Sequence, residues 1–317
     1  MKISARLKER FCKDCNIPIR IFEEPYFTDR LKLYDKYYRT LEKWYIFVEE
    51  LEKYHCEQDY LEEYNRVKDA AIESIKNTEA YKRFNEEDMN KYQITHKDLP
   101  NSDIFKSTND GKTFISIDMR KANFSSLHYY DDFMFNYMST WEEFIGLFTN
   151  NKHIINSKYI RQVILGNCNP KRHIAYEKYI MDKVLDFVEK SIPIDKVVFF
   201  SNDEIIFDIT DTNLEVADAI ILQQMIDVKF SVPLKVELFV LHKIHGTDGY
   251  YKEIFHAKGI CKKEFKCLDN YMLPFVMRYF NGEEVTDSDK VFYHEGLLAQ
   301  FIEVPNIEIK NKEAGEN

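Results

Sequence analysis

Residues 196–209 read KVVFFSNDEIIFDI. Two apolar runs, 196–200 and 205–209, rich in β-branched and aromatic residues, flank the polar stretch Ser201-Asn202-Asp203-Glu204. Short runs of this type joined by a few polar residues predict a β-hairpin, here with Asp203 and Glu204 at its tip. Upstream, 113–118 (TFISID) alternates β-branched residues and predicts a strand ending on Asp118. Downstream, 233–241 carries Leu, Val and Leu at period two, a further strand. The intervening sequence has helical periodicity over 141–149, 157–166, 170–190 and 214–228. From residue 113 the predicted order is therefore strand, helices, hairpin, helix, strand. That order specifies an α+β fold, an antiparallel sheet layered with helices on one face. Residues 249–303 mix short strands, at 250–255 and 264–268, with helical pieces.

The first hundred residues have a different texture. They contain no Gly, and 29–53 and 58–76 place Leu, Tyr, Trp and Ile three to four residues apart between charges. Long helices are expected there. Leu-Pro-Asn-Ser at 99–102 and Ser-Thr-Asn-Asp-Gly at 107–111 are turn signals and mark a subdomain boundary near 100–112. Three regions are expected: helical 1–110, sheet-bearing 111–245, and a C-terminal region 246–317. The tail 311–317 (NKEAGEN) reads as frayed.

Composition narrows the function classes. A chain of 317 residues has room for about two domains. Asp plus Glu number 54 against 44 Lys plus Arg, a net charge of −10. A protein that coats duplex nucleic acid is usually basic, so any nucleic-acid contact here must be local. Only 9 residues are Gly, about 3% against a usual ~7%. Neither GxGxxG nor GxxxxGK[ST] is present, which excludes the glycine-rich phosphate loops. Hydrophobic residues at 44% and aromatics at 15% suffice for a large core. No apolar run reaches the ~18 residues of a membrane span, and MKISARLKERFCKDC lacks the apolar stretch of a signal peptide. An intracellular, cytoplasmic protein is expected, without membrane contact and without a disulfide framework from its six cysteines.

The chemistry concentrates on the acids. Asp118 ends one strand, and Asp203 with Glu204 tips a hairpin 85 residues later. Pairing of those strands sets like charges side by side while stripping their hydration, and a divalent cation relieves both penalties. Mg²⁺ takes oxygen ligands and commonly uses one or two carboxylates plus substrate phosphates. Between the acids, 151–172 holds Lys152, Lys158, Arg161, Lys171 and Arg172 with no Asp or Glu. In an acidic chain that is a phosphate-binding segment or a solvated helix face.

These residues resemble those of right-hand palm polymerases. Asp118-Met119-Arg120-Lys121-Ala122-Asn123-Phe124-Ser125 is similar to motif A of reverse transcriptases. Ser201-Asn202-Asp203-Glu204-Ile205-Ile206-Phe207 is similar to motif C, and its Asp-Glu pair is closer to that of family A DNA polymerases. The 85-residue interval suits the compact palms of reverse transcriptases and viral RNA polymerases, and the likeness spans roughly 113–245. The resemblance implies a polymerase-like palm, with 1–110 fingers-like and 246–317 thumb-like or capping. It implies nucleotidyl transfer to a nucleic-acid 3′-OH with Mg²⁺ or Mn²⁺. Asp118 and Asp203 would be metal ligands, assisted by the Met119 backbone carbonyl and by Glu204. Nucleoside triphosphates and an RNA or DNA primer or template would be the partners. In the place of motif B, whose usual spellings are absent, Lys158 and Arg161, together with Arg120, would neutralise the triphosphate. Asn167, Asn169, Lys171 and Arg172 would complete the substrate contacts. Asn123 stands where many palms carry a bulky gate against the ribose 2′-OH; Asn is small and can hydrogen-bond a hydroxyl, which implies use of ribonucleotides. Lys229 or Lys235 stands where some palms keep a general-acid lysine.

Two rival readings share these residues. One is a palm that does not polymerise, similar to diguanylate-type cyclases or tRNA-His guanylyltransferases, although their intervals are shorter and their Gly-rich signatures are missing. The other is a palm without catalysis that acts as a nucleic-acid or protein-binding scaffold, the acidic surface favouring protein partners. Templated and terminal addition are equally compatible with the sequence. Separately, Cys12-x-x-Cys15 is half of a structural Zn²⁺ site, with His55-Cys56 or Cys261 and Cys267 as the other half, or else a pair of buried free thiols. His242-x-x-His245 lies at a strand end, where HxxH spacing suits a metal less than it would on a helix, and reads as surface or core histidines.

Overall fold

The computed structural model describes residues 3–256 and 261–309; the 311–317 tail and the Cys261 side chain lie outside that description. The N-terminal region forms α1 (Ala5–Asp14), α2 (Tyr26–Tyr38), α3 (Thr40–Leu51), α4 (Glu57–Asn77) and α5 (Glu79–Glu86). The helical run over 29–53 is broken into α2 and α3 at Arg39, whose φ of 51° lies in the left-handed region. Local polar groups stop the helix: the Asp35 carboxylate accepts from Leu41 N at 2.8 Å, and the Thr40 hydroxyl donates to the Leu31 carbonyl. With no Gly inside it, α4 runs for 21 residues.

The sheet follows. Its strands are β1 (Thr113–Met119), β2 (Val197–Phe200), β3 (Glu204–Asp208), β4 (Leu234–Lys243), β5 (Tyr250–Phe255) and β6 (Cys261–Lys266). Their order is β2-β3-β1-β4-β5-β6, antiparallel throughout. Between β1 and β2 lie α6 (Ala122–Tyr130), α7 (Trp141–Gly146), α8 (Lys152–Ile155), α9 (Lys158–Gly166) and α10 (Pro170–Val188). The helix α11 (Val216–Lys229) joins β3 to β4, and α12 (Leu273–Asn281) precedes a separate hairpin of β7 (Val291–His294) and β8 (Leu297–Gln300). The described residues thus form a mixed α+β fold of twelve α-helices and a six-stranded antiparallel sheet, as the patterning predicts. Three details differ. Glu204 opens β3 instead of sitting in the turn, the helix predicted over 141–149 stops at Gly146, and the strand predicted over 264–268 runs over Cys261–Lys266.

Period-two alternation gives the sheet two faces. Ile115, Ile117, Ile205, Phe207 and Leu238 belong to one hydrophobic core that runs continuously from Leu7 in α1 to Met277 in α12. The opposite face carries Phe114, Ile206, Phe239 and Ile254 in a smaller core closed by Ile104. Its remaining positions, near the end of β1, are the polar Ser116, Asp118, Glu204, Lys235 and Glu237.

One buried carboxylate ties the helical layer to the start of α9. Asp14, fully buried, accepts from Ser157 Oγ at 2.8 Å and Tyr64 Oη at 2.9 Å, and lies 3.1 Å from His153 Nε2. Ser157 in turn caps α9 by accepting from Ile160 N at 3.0 Å. Replacing Asp14 with Ala strands these partners without an acceptor, a change expected to lower unfolding free energy by about 3 kcal/mol. Urea unfolding of Asp14→Ala checks this, and a loss below about 1 kcal/mol would contradict the role assigned to Asp14.

Candidate active site

The end of β1 is stitched to both neighbours by backbone bonds. Met119 N donates to Asp203 O at 2.8 Å, and Arg120 N donates to Pro233 O at 2.9 Å. Asp118 is therefore directly opposite Glu204 on β3 and Lys235 on β4, and all three side chains leave the same face. In the hairpin turn, Ser201 Oγ donates to Asp203 Oδ1 at 3.0 Å and accepts from Glu204 N at 2.9 Å, which fixes the Asp203 side chain. Glu204 reaches Lys252 at 3.5 Å, and Lys235 pairs with Glu237.

This crowding raises the Asp118 carboxyl to about 7, first through burial and then through the charges of Glu204 and Asp203; Lys235 opposes the rise only in part. A cleft of about 430 Å³ opens beside it, lined by Asp118, Asp203, Asn123, Lys158, Arg161 and His173 among others. Five sequence-predicted residues far apart in the chain thus share one cavity, and Met119 also lines it. Lys158 and Arg161 stand one turn apart on α9. Both are held below their ordinary ranges by lost hydration, and Lys158 also by the neighbouring charges of Arg161 and Lys266. The buried Arg161 Nε has no partner among the described residues.

Helix α10 supports the hairpin tip with residues that sequence reading missed. Glu177 is buried, accepts from Asn202 Nδ2 at 2.5 Å through one oxygen, and lies 3.2 Å from His173 Nδ1 through the other. Lys178 Nζ donates to the carbonyls of Phe200 at 2.9 Å and Ser201 at 3.2 Å; burial pushes this ammonium down to about 8. The one available signal was the i, i+4 spacing of His173 and Glu177 just beyond the basic segment.

The rest of that segment faces elsewhere. The Arg172 guanidinium donates to Phe84 O at 2.7 and 3.0 Å and to Glu87 O, satisfying carbonyls at the end of α5. Asn169 donates to Asn85 Oδ1 at 2.6 Å, and Asn167 donates to Val163 O at 2.8 Å at the end of its own helix. Lys171 and Arg120 are exposed and do not line the cleft. Lys229 is exposed at the end of α11.

Metal-ligand geometry separates the remaining candidates. Among the described residues, only His96, Asp182 and Asp186 bring three ligand atoms within 4.8 Å of one another. Asp182 there accepts from Thr95 N and His96 N, each at 2.9 Å, and clips that loop to α10. Asp118, Asp203 and Glu204 do not bring their ligand atoms that close together. The Cys12–Cys15 pair gathers no third ligand among the described residues, and burial raises both thiols, Cys15 to about 12. His242 lies 3.3 Å from Glu253 and His245 lies 3.5 Å from Asp110, each ring facing a carboxylate.

No family profile, curated protein or solved structure matches the chain, so the chemistry of the site carries the functional reading. No helix of the described residues is long and apolar enough to cross a membrane.

The raised Asp118 carboxyl has a consequence for stability. Between its ordinary value of 3.8 and about 7, the folded protein holds a proton that the unfolded chain has released. Stability in chelator therefore falls as pH rises through that window, and the penalty is complete above it. Asp118→Asn is expected to be more stable than the wild type at pH 8, by roughly 2–4 kcal/mol, with the difference shrinking toward pH 4. Thermal melts at both pH values check this; an equal difference at both contradicts it.

Proposed function

We propose that the protein is a divalent-metal-dependent nucleotidyltransferase built on a polymerase-like palm. In the reaction, a nucleic-acid 3′-oxygen attacks the α-phosphorus of a nucleoside triphosphate and pyrophosphate leaves. The observation that carries the reading is the convergence of Asp118, Asp203, Lys158, Arg161 and Asn123 on one cleft. The sheet adds support: β1 lies between β3 and β4, with helices separating β1 from the β2–β3 hairpin and β3 from β4, a split βαβ arrangement.

Asp118 and Asp203 are the residues that would hold Mg²⁺ or Mn²⁺, with Glu204 adding negative charge beside them. A divalent cation bound there supplies charge stabilisation to the attacking and leaving oxygens. The chain's own contribution is positioning. Lys158 and Arg161 face the acids from α9 and bind the triphosphate. Asn123 lines the cleft just after β1 and offers its amide to a ribose hydroxyl. Asn202, Glu177 and Lys178 hold the hairpin tip so that Asp203 keeps its place against Asp118.

The test is extension of labelled RNA and DNA primers with each NTP and dNTP, with Mg²⁺ or Mn²⁺, with and without template. Extension is expected from the wild type and a loss of at least about 100-fold in Asp203→Asn. A discrete small product in place of a ladder supports a non-polymerising enzyme, and no turnover by folded protein supports a binding scaffold. In the same assay Asn123→Tyr is expected to shift selectivity from ribonucleotides toward deoxynucleotides; an unchanged ratio contradicts the gate assigned to Asn123.

A further inference from the structure

We infer that a second, larger groove beside the acid cleft is a track for a single strand of nucleic acid, whose end it delivers to Asp118 and Asp203. The direction of the track rests on the proposed nucleotidyl transfer; its capacity to bind a strand does not. The groove, about 840 Å³, lies between the end of α1, the α2–α3 junction, the start of α9 and β6. Eight Lys and Arg side chains line it against one carboxylate, Glu264, in a chain where acids outnumber bases. Glu264 is itself engaged by Lys262 at 2.7 Å and Lys266 at 3.6 Å. Arg20, Lys43 and Lys158 have no carboxylate within ion-pair distance among the described residues. Lys13, Arg39 and Lys263 do have acidic partners, at 2.7, 2.5 and 3.2 Å. The first two pairs are exposed, worth little, and readily exchanged for phosphate.

Three features favour a strand over a small anion or a duplex. The positive charge is spread over four elements, which suits a row of phosphates more than one. The half-buried rings of Tyr37 and Tyr159 line the same groove. Each is held by a neighbour, Tyr37 edge-on to Phe265 at 5.2 Å and Tyr159 beneath Arg10 at 5.3 Å, so they offer fixed faces on which unpaired bases stack. Finally, Lys158 and Gln162 line both the groove and the acid cleft, so the two adjoin at α9. The net charge of −10 disfavours general polyanion binding, so a local basic groove is where a strand would bind.

The test is fluorescence anisotropy of labelled oligo-U and oligo-dT strands of about twelve nucleotides, in EDTA without nucleotide, so that binding is read apart from catalysis. Expected results are binding that weakens with salt, a loss of about 10-fold or more in Arg20→Glu/Lys43→Glu, and a salt slope lower by about 2. The milder Arg20→Gln/Lys43→Gln is expected to lose less, and Lys190→Glu, on an exposed residue outside the groove, to bind as the wild type. Asp203→Asn is expected to keep full binding while losing extension. Wild-type binding by both double variants overturns the track, as does tighter binding of a duplex of equal length, or binding of an acidic peptide but neither strand. Binding that depends on Arg20 and Lys43 without any extension leaves the track standing and overturns the catalytic reading alone.

Discussion

The antiparallel register that sets Asp118 opposite Glu204 is the constraint on which the rest of the site depends. Cross-strand neighbours share a face, so this register sets two carboxylates on one face and brings Asp203 in through the adjoining turn. A shift of one residue would turn Asp118 into the helical layer and expose Ile117. The register is locked from both ends. The apolar alternation of β1, β3 and β4 buries Ile115, Ile117, Ile205 and Phe207 on one face, and backbone bonds from Met119 and Arg120 close the polar end.

The surrounding helices can be understood as answers to that arrangement. Lone carboxylates so placed disfavour their own charged forms, and the fold sets cations across the cleft on α9 without letting them neutralise the acids by direct contact. That separation leaves room for a ligand between the two charge signs. Helix α9 owes its position to a distant anchor, since Ser157 at its cap shares the Asp14 carboxylate with α4. The helical N-terminal residues and the sheet region thus meet through one buried acid as well as through a continuous apolar core. The local cost of clustered acids is offset by the apolar core and backbone bonds that hold the register.

Electrostatics also divides the surface. The chain is acidic overall, yet one groove beside the acid cleft is lined by eight Lys and Arg against a single carboxylate. An overall negative field with one positive path steers a polyanion to a single place, whereas a uniformly basic surface would hold it anywhere. The proposed metal chemistry and the proposed strand track therefore draw on the same separation of charge.

What the sequence by itself determined was local and periodic. Alternation identified β1, the β2–β3 hairpin and β4, and polar residues between apolar runs placed Asp203 in a turn and Asp118 at a strand end. These depend on neighbours within a few residues, where pattern and conformation are tightly coupled. Tertiary structure decided which members of the basic segment serve the cleft. Lys158, Arg161 and Arg172 look alike in sequence, but Arg172 was claimed by the unsatisfied carbonyls at the end of α5. His173, Glu177 and Lys178 could not be assigned until α10 docked beneath the hairpin. The basic groove was likewise invisible, because its lining comes from α1, α2, α3, α9 and β6, segments that no periodicity connects. Hydrogen-bond satisfaction and charge convergence act across the whole chain, and only the folded arrangement says which donor meets which acceptor.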